Sequence, residues 1–346
     1  MIDNLYMTRR LRFLILLSIF LHACAPASST PPTVAPPPTA TLTPSPLPPT
    51  AEPAQTAIVA PPLPTISRVL IVTFDGLRPD AIAAAEMTNV MSLMQTGAYT
   101  LKAQTIMPSL TLPAHSSMVL GTCPAKHIVR WNEYVPENGY ALGTDIFDLA
   151  HTFGLRTVLV SGKEKLRHLT EPGSTDFFGF VDINDKIKDI TSLESMAYSQ
   201  VREGFGLMLM HFPDGDLAGH EYGWMSRQQL RAYKNDDDSF GLLLEVMKSS
   251  NMYDGTLIII TSDHGGHDTT HGSNLPEDMT IPWILNGPRV VPGELQTQVY
   301  IMDTAATVAY ALGLPLQPEW DGVPIYEAFG MPVDVVQKSG CPGLTP

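Results

Sequence analysis

Three apolar runs of strand length each end in an acid or an acid–histidine pair, and this restricts the fold more than any other feature of the chain. Arg68-Val-Leu-Ile-Val-Thr-Phe74 runs into Asp75-Gly76. Gly206-Leu-Met-Leu-Met-His-Phe212 leads through Pro213 and Asp214 to Asp216-Leu-Ala-Gly-His220. Thr256-Leu-Ile-Ile-Ile-Thr261 ends in Ser262-Asp263-His264-Gly265. Runs without polar alternation are buried on both faces, as strands are in a parallel sheet covered by helices. Thr157-Val-Leu-Val-Ser161 is a fourth run, and residues 81–94, 192–203 and 226–249 carry helical periodicity between the strands. The expected fold class is α/β, a central mostly parallel sheet sandwiched by helices. Ligands of such sheets sit beyond the carboxyl ends of the strands, where these acids and imidazoles arrive.

One acid at a strand end is more often a turn or N-cap residue than a ligand. Acids and histidines delivered together by three strands are harder to explain that way. Gathered carboxylates repel one another unless a cation neutralises them, and mixed imidazole and carboxylate donors suit zinc and similar ions. Asp216 and His220 lie four residues apart and can face one ion; adjacent Asp263 and His264 can reach two sites or two faces of one. The formal net charge of −14 argues against binding of a nucleic acid polymer. A small phosphorylated substrate would need local positive charge, which bound metals supply.

The N-terminal region has a different character. Arg9, Arg10 and Arg12 precede an apolar run from Phe13 to Leu21, too short to span a bilayer, and Leu21-His22-Ala23-Cys24 follows. This resembles a bacterial lipoprotein signal over residues 1–24, with Cys24 acylated; ordinary secretion is the alternative. An exported chain attached by lipid to the outer face of a membrane is expected. Residues 25–65 are rich in Pro, Thr, Ala and Ser and read as a spacer. Residues 66–346 then form the folded domain, in which Cys123 and Cys341 can pair in an oxidising compartment.

The ordered set Asp75, Pro108-Ser-Leu-Thr-Leu-Pro-Ala-His115, Asp216-x-x-Gly-His220 and Asp263-His264-Gly265 resembles the alkaline phosphatase superfamily. Within it, the pattern is most similar to the type I phosphodiesterase/nucleotide pyrophosphatase family, over about residues 68–325. The resemblance implies an alkaline-phosphatase-like fold and a metal-dependent hydrolase of phosphate diesters or pyrophosphates of small molecules. It implies Thr111 as nucleophile, through a phospho-threonine intermediate, and two divalent ions, with zinc the first expectation. One ion would be held by Asp75, Thr111, Asp263 and His264. The other would be held by Asp216, His220 and a later histidine. His267 and His271 are the two histidines after His264, and the family's His-Gly pair matches His271-Gly272. Asn132 occupies a place where relatives carry an amide that donates to a phosphoryl oxygen. His115 and His127 are expected to be structural.

Two departures bear on substrate. Relatives that cleave nucleotides carry an aromatic residue after the nucleophile and a tyrosine five residues before the Asp-x-x-x-His acid; Leu112 and His211 stand there. Lys163-Glu164-Lys165-Leu166 resembles the paired lysines with which phosphonoacetate hydrolases grip an anionic substrate. Lys163 and Lys165 therefore point to a second reading, a phosphomonoesterase or phosphonate hydrolase. A sulfatase would need Cys or Ser in a C/S-x-P-x-R frame, which Thr111-x-Pro113-x-His115 does not provide. A surface binding protein without turnover is the reading outside enzymes.

Overall fold

The structure is a computed structural model and describes residues 65–181, 190–332 and 340–341. The expected signal, Cys24 and the expected spacer up to residue 64 lie outside the described residues. Among the described residues eight strands form one sheet: β1 (Arg68–Phe74), β2 (Ala98–Gln104), β3 (Thr157–Ser161), β4 (Phe177–Phe180), β5 (Leu207–Phe212), β6 (Thr256–Thr261), β7 (Thr280–Asn286) and β8 (Gly293–Glu294). Their order is β4-β3-β5-β1-β6-β7-β2-β8. Strands β4, β3, β5, β1 and β6 run parallel, and β7 is antiparallel to both β6 and β2. The helices are α1 (Pro79–Ala84), α2 (Thr88–Thr96), α3 (Thr111–Leu120), α4 (Pro124–His127), α5 (Ile146–Thr152), α6 (Ile190–Glu203), α7 (Asp214–Tyr222), α8 (Arg227–Ser249), α9 (Pro276–Met279) and α10 (Asp303–Leu312).

Side chains of the central strands alternate between two cores. Val69 and Ile71 of β1 join Leu159, Leu207 and Ile259 beneath α3, α5 and α10. Leu70, Val72 and Phe74 join Met208, Met210 and Ile260 against α1, α2, α6 and α8. Each such aliphatic or aromatic side chain removed from water contributes about 1.5–3 kcal/mol. The sheet covered on both faces is the expected architecture. Within it, Thr73 lies opposite His211 on β5 and Thr261 on β6, so Asp75 and Asp263 leave the sheet two residues later at the same level.

Beyond β1 the chain must turn within a crowded edge. Gly76 has φ 71, and an added Cβ would lie 3.2 Å from the Trp224 ring and 3.5 Å from the Asp216 backbone. Glycine adopts the left-handed region without penalty and lets α7 approach this closely.

The expected helix over 81–94 is two helices instead. Asp237, buried on α8, accepts hydrogen bonds from the backbone N–H groups of Asn89 (3.0 Å) and Val90 (2.9 Å). These are first-turn donors of α2 that no intrahelical carbonyl can satisfy. Glu86 sits at φ 54 in the break. Cys123 and Cys341 form a disulfide with Cα atoms 5.5 Å apart, and both sulfurs pack against Met302.

Candidate metal centre

Asp75 is anchored by its backbone N–H, which donates to the Phe212 carbonyl at 2.9 Å. Its side chain is fully buried, as are those of Asp263 and His264 beyond β6. Asp263 Oδ1 accepts from the Gly76 N–H at 3.2 Å, tying the two strand ends together. Asp216 and His220 project from α7, four residues apart, and bring Asp216 Oδ1 within 3.4 Å of His220 Nε2. Thr111 is the first residue of α3, buried, with Oγ1 3.4 Å from His264 Nε2.

The imidazole tautomers follow from their partners. His264 Nδ1 lies 2.8 Å from the Gly265 carbonyl, His220 Nδ1 3.0 Å from the Thr269 carbonyl, and His271 Nδ1 2.9 Å from the Ser109 carbonyl. A carbonyl oxygen only accepts, so each Nδ1 carries the proton and each Nε2 presents a lone pair. Those lone pairs face oxygens. His264 Nε2 is 3.4 Å from Asp75 Oδ1 and 3.4 Å from Asp263 Oδ2; His271 Nε2 is 3.4 Å from Asp216 Oδ1. Asp75 Oδ1, Asp216 Oδ1 and Asp263 Oδ2 have no hydrogen-bond partner among the described residues.

Acceptor facing acceptor in a buried site is unfavourable unless a cation lies between them. Metal bonds of ~2.0–2.1 Å arranged tetrahedrally would separate neighbouring donors by about 3.4 Å, the spacing found here. The residues therefore fit divalent metal ions. Among the described residues two groups of potential ligands lie close enough to share one: Asp216 with His220 and His271, and Asp75 with Asp216 and His264. The first is the expected second-site set. The second overlaps the expected first set but also draws in Asp216, which stands between the two. Asp263 and Thr111 approach this group through His264 Nε2. His267, the alternative to His271, turns away, with Nδ1 2.7 Å from Asp278 Oδ1.

Electrostatics separates the three acids. Burial would raise the pKa of Asp75, but the Lys163 ammonium and then His211 override it and hold it well below the usual carboxylate range. Asp216 is likewise lowered against burial by Lys163. Burial and the Asp75 charge raise Asp263 well above that range. Burial, and then repulsion from His264, lowers His271 to about 4, so its imidazole is neutral at neutral pH.

The remaining expected residues fall in distinct places. Asn132 Oδ1 accepts from the Leu112 N–H at 2.9 Å, which fixes the amide beside the nucleophile and leaves its –NH2 for another acceptor. Asn132, Tyr134, Lys163, Lys165, Asp216 and His220 are among the residues lining a cavity of about 370 Å³ beside Thr111. Lys163 has partners other than those expected: its ammonium lies 2.7 Å from Asp75 Oδ2, 2.5 Å from Asp216 Oδ2 and 3.5 Å from Thr111 Oγ1. Burial, and then repulsion from Lys163, lowers the pKa of Lys165. Leu112 is fully buried and belongs to the core beneath α3. His115 Nδ1 lies 2.9 Å from the Thr111 carbonyl and 3.5 Å from Asp263 Oδ2, and its Nε2 accepts from Thr73 Oγ1 at 3.1 Å. His127 Nε2 bonds Ser117 Oγ at 2.9 Å.

Sequence reasoning missed three supporting residues. His211 Nε2 lies 2.9 Å from Asp75 Oδ2; the sequence marks it as an imidazole inside an otherwise apolar strand, at the place of the relatives' tyrosine, but not as a partner of Asp75. Asp278 accepts from the Ser273 N–H (2.8 Å) and from His267, and so shapes the loop that presents His271. Trp224 Nε1 donates to the Gly76 carbonyl at 3.0 Å, and its ring packs against those of His220 and His271. No local pattern marks the last two.

Residues 69–280 match the model of the type I phosphodiesterase/nucleotide pyrophosphatase family. The human catalytic subunit of GPI ethanolamine phosphate transferase 2 is 25% identical over 74% of this chain and 27% of its own length. The bis(5'-adenosyl)-triphosphatase enpp4 of Xenopus laevis is 23% identical over 57% of this chain and 47% of its own. The chain thus spans between about a quarter and a half of the length of these relatives. Among solved structures, murine ectonucleotide pyrophosphatase/phosphodiesterase 5 superposes with a TM-score of 0.62 at 13% identity, over 76% of this chain and 99% of that one.

Proposed function

Because the chain belongs to the type I phosphodiesterase/nucleotide pyrophosphatase family, we propose that it hydrolyses phosphate diesters or pyrophosphates of small molecules with Thr111 as nucleophile. The carrying observation is the acceptor-lined cluster: the Nε2 lone pairs of His220, His264 and His271 face carboxylate oxygens without partners at 3.4 Å, and Thr111 Oγ1 stands at its edge. Asp75, Thr111, Asp263 and His264 would hold one ion, and Asp216, His220 and His271 the other. Mixed imidazole and carboxylate donors at tetrahedral spacing favour zinc. When bound, the ions supply the charge that favours ionised threonine and that neutralises phosphoryl oxygens.

The chain's own groups do the rest. Thr111 Oγ1 attacks phosphorus, the bond to the leaving oxygen breaks with its electron pair, and a phospho-threonine remains for water to cleave. Thr111 opens α3, whose N-terminal partial positive charge favours an anion there. The Asn132 amide donates to a non-bridging oxygen, and the Leu112 N–H it holds keeps that amide in place. Lys165 lines the adjoining cavity, where its ammonium would meet an anionic substituent, and this placement favours a phosphomonoester or phosphonate as the second reading.

Zinc identity, export and attachment through Cys24 are part of the same proposal. The buried disulfide supports an oxidising compartment. Among the described residues no helix is long and apolar enough to cross a membrane. The test is hydrolysis of nitrophenyl phosphate diester and monoester by the purified chain, with added zinc, with chelator and with Thr111→Ala. The diester should be cleaved faster, chelator should abolish turnover, and the alanine variant should lose at least about 10³-fold. Faster monoester cleavage would favour the second reading. Full activity of Thr111→Ala would remove Thr111 as nucleophile, and no turnover of either ester would favour a binding protein.

A further inference from the structure

Lys163 follows β3 and was expected to grip substrate, yet its side chain is only 12% exposed and its ammonium faces the metal ligands. We propose that Lys163 is a positioning residue shared by the two metal sites: it holds the oxygen of Asp75 that is turned from His264 and the oxygen of Asp216 that is turned from His271. The proposal rests on the two-metal reading above and adds to it what joins the two sites.

Each carboxylate is divided between two tasks. Asp75 Oδ2 and Asp216 Oδ2 take the ammonium at 2.7 and 2.5 Å. Asp75 Oδ1 and Asp216 Oδ1 are the oxygens without hydrogen-bond partners, and these face the imidazoles at 3.4 Å. The ammonium is bonded to one acid from each site through the oxygens that do not face His264 and His271, and it lies 3.5 Å from Thr111 Oγ1.

The loop carrying Lys163 is itself fixed to the same acid. The Gly162 N–H donates to His211 Nδ1 at 3.3 Å, so His211 Nε2 carries the proton that reaches Asp75 Oδ2 at 2.9 Å. Ser161 Oγ donates to the Lys163 carbonyl at 2.8 Å and accepts from the Lys163 N–H at 3.0 Å. A Cβ on Gly162 would lie 2.1 Å from Pro213, two residues after His211 and just before α7 begins. Lysine, loop, His211 and the start of α7 thus form one unit against Asp75. Without the ammonium, Asp216 Oδ2 loses its bond to Lys163 and Asp75 Oδ2 keeps only the one from His211, so both sites loosen. Groups that orient metal ligands typically account for 10–100-fold in metal affinity.

Zinc titration of the purified full chain, by calorimetry and by competition with a chromophoric chelator, tests this beside elemental analysis of bound metal. The unmodified chain should hold two zinc ions. Lys163→Met should weaken both sites by about 10–100-fold, lowering kcat with KM for the diester little changed. Lys165→Met should leave zinc affinity unchanged and raise KM. Lys163→Gln, which keeps two N–H donors, should fall between, and it carries the test if the methionine variant does not fold. Zinc bound as tightly or more tightly without Lys163, or weakened at one site alone, would overturn the shared role, as would a rise in KM alone. An unmodified chain that binds no stoichiometric zinc would instead defeat the two-metal reading itself.

Discussion

The two candidate metal-binding groups rest on different kinds of backbone. Asp75, Asp263 and His264 follow directly from neighbouring strands and are fully buried, between two cores. His220 sits on α7 with its side chain 44% exposed, and His271 sits in a loop shaped by Asp278. Strand ends in a packed sheet move little because every backbone group is paired and every neighbouring side chain is in contact. A nine-residue helix and a loop on the surface can shift. The first group would therefore set the geometry of the nucleophile, and the second would exchange its ion and accommodate substrate.

The largest expected effect separates the two groups by substitution. His264→Ala should remove one of two bound metals and lower diester turnover by at least about 10³-fold, because His264 Nε2 also faces Thr111 Oγ1 at 3.4 Å. His220→Ala should remove the other metal and cost on the order of 10²-fold, with partial recovery in excess zinc. Equal losses without recovery would erase the distinction. A smaller effect concerns exchange: with a chelator in excess, metal release should occur in two phases, the faster one lost in His220→Ala. A single phase would show that exposure does not control release.

The smallest effect is on acid stability of the metal-free chain. Burial, and then the neighbouring His211, lowers His115 to about 3, while burial lowers His127 to about 4. Unfolded histidine titrates near about 6.5. Below that pH the unfolded chain takes up protons that the folded chain refuses, so stability is full above it and falls as pH drops towards about 4. The midpoint of denaturant unfolding should fall over this window. It should fall less in His127→Gln, and an unchanged slope there would remove His127 from the account.

The sequence carried the parallel sheet because the apolar runs of β1, β3, β5 and β6 can be buried only between two layers of helix. It carried the ligand types too, since Asp75, Asp216, His220, Asp263 and His264 stand at or just past strand ends, and the strand period fixes where those ends lie. Local pattern did not carry the break between α1 and α2, because the cap comes from Asp237, 147 residues after Val90. Nor did it carry the partners of Lys163, whose reach ends on two buried acids from distant parts of the chain.

What the sequence determined by itself is therefore the chemistry available at one edge of one sheet: the acids, the imidazoles, the threonine and their order. Only the tertiary structure decided which nitrogen of each histidine is free, which oxygen of each acid lacks a partner, and that Asp216 stands between the two groups. Those choices depend on carbonyls and an ammonium contributed from distant parts of the chain, such as Ser109 for His271 and Lys163 for Asp75. Hydrogen-bond direction is a property of assembled neighbours, and no run of adjacent residues contains it.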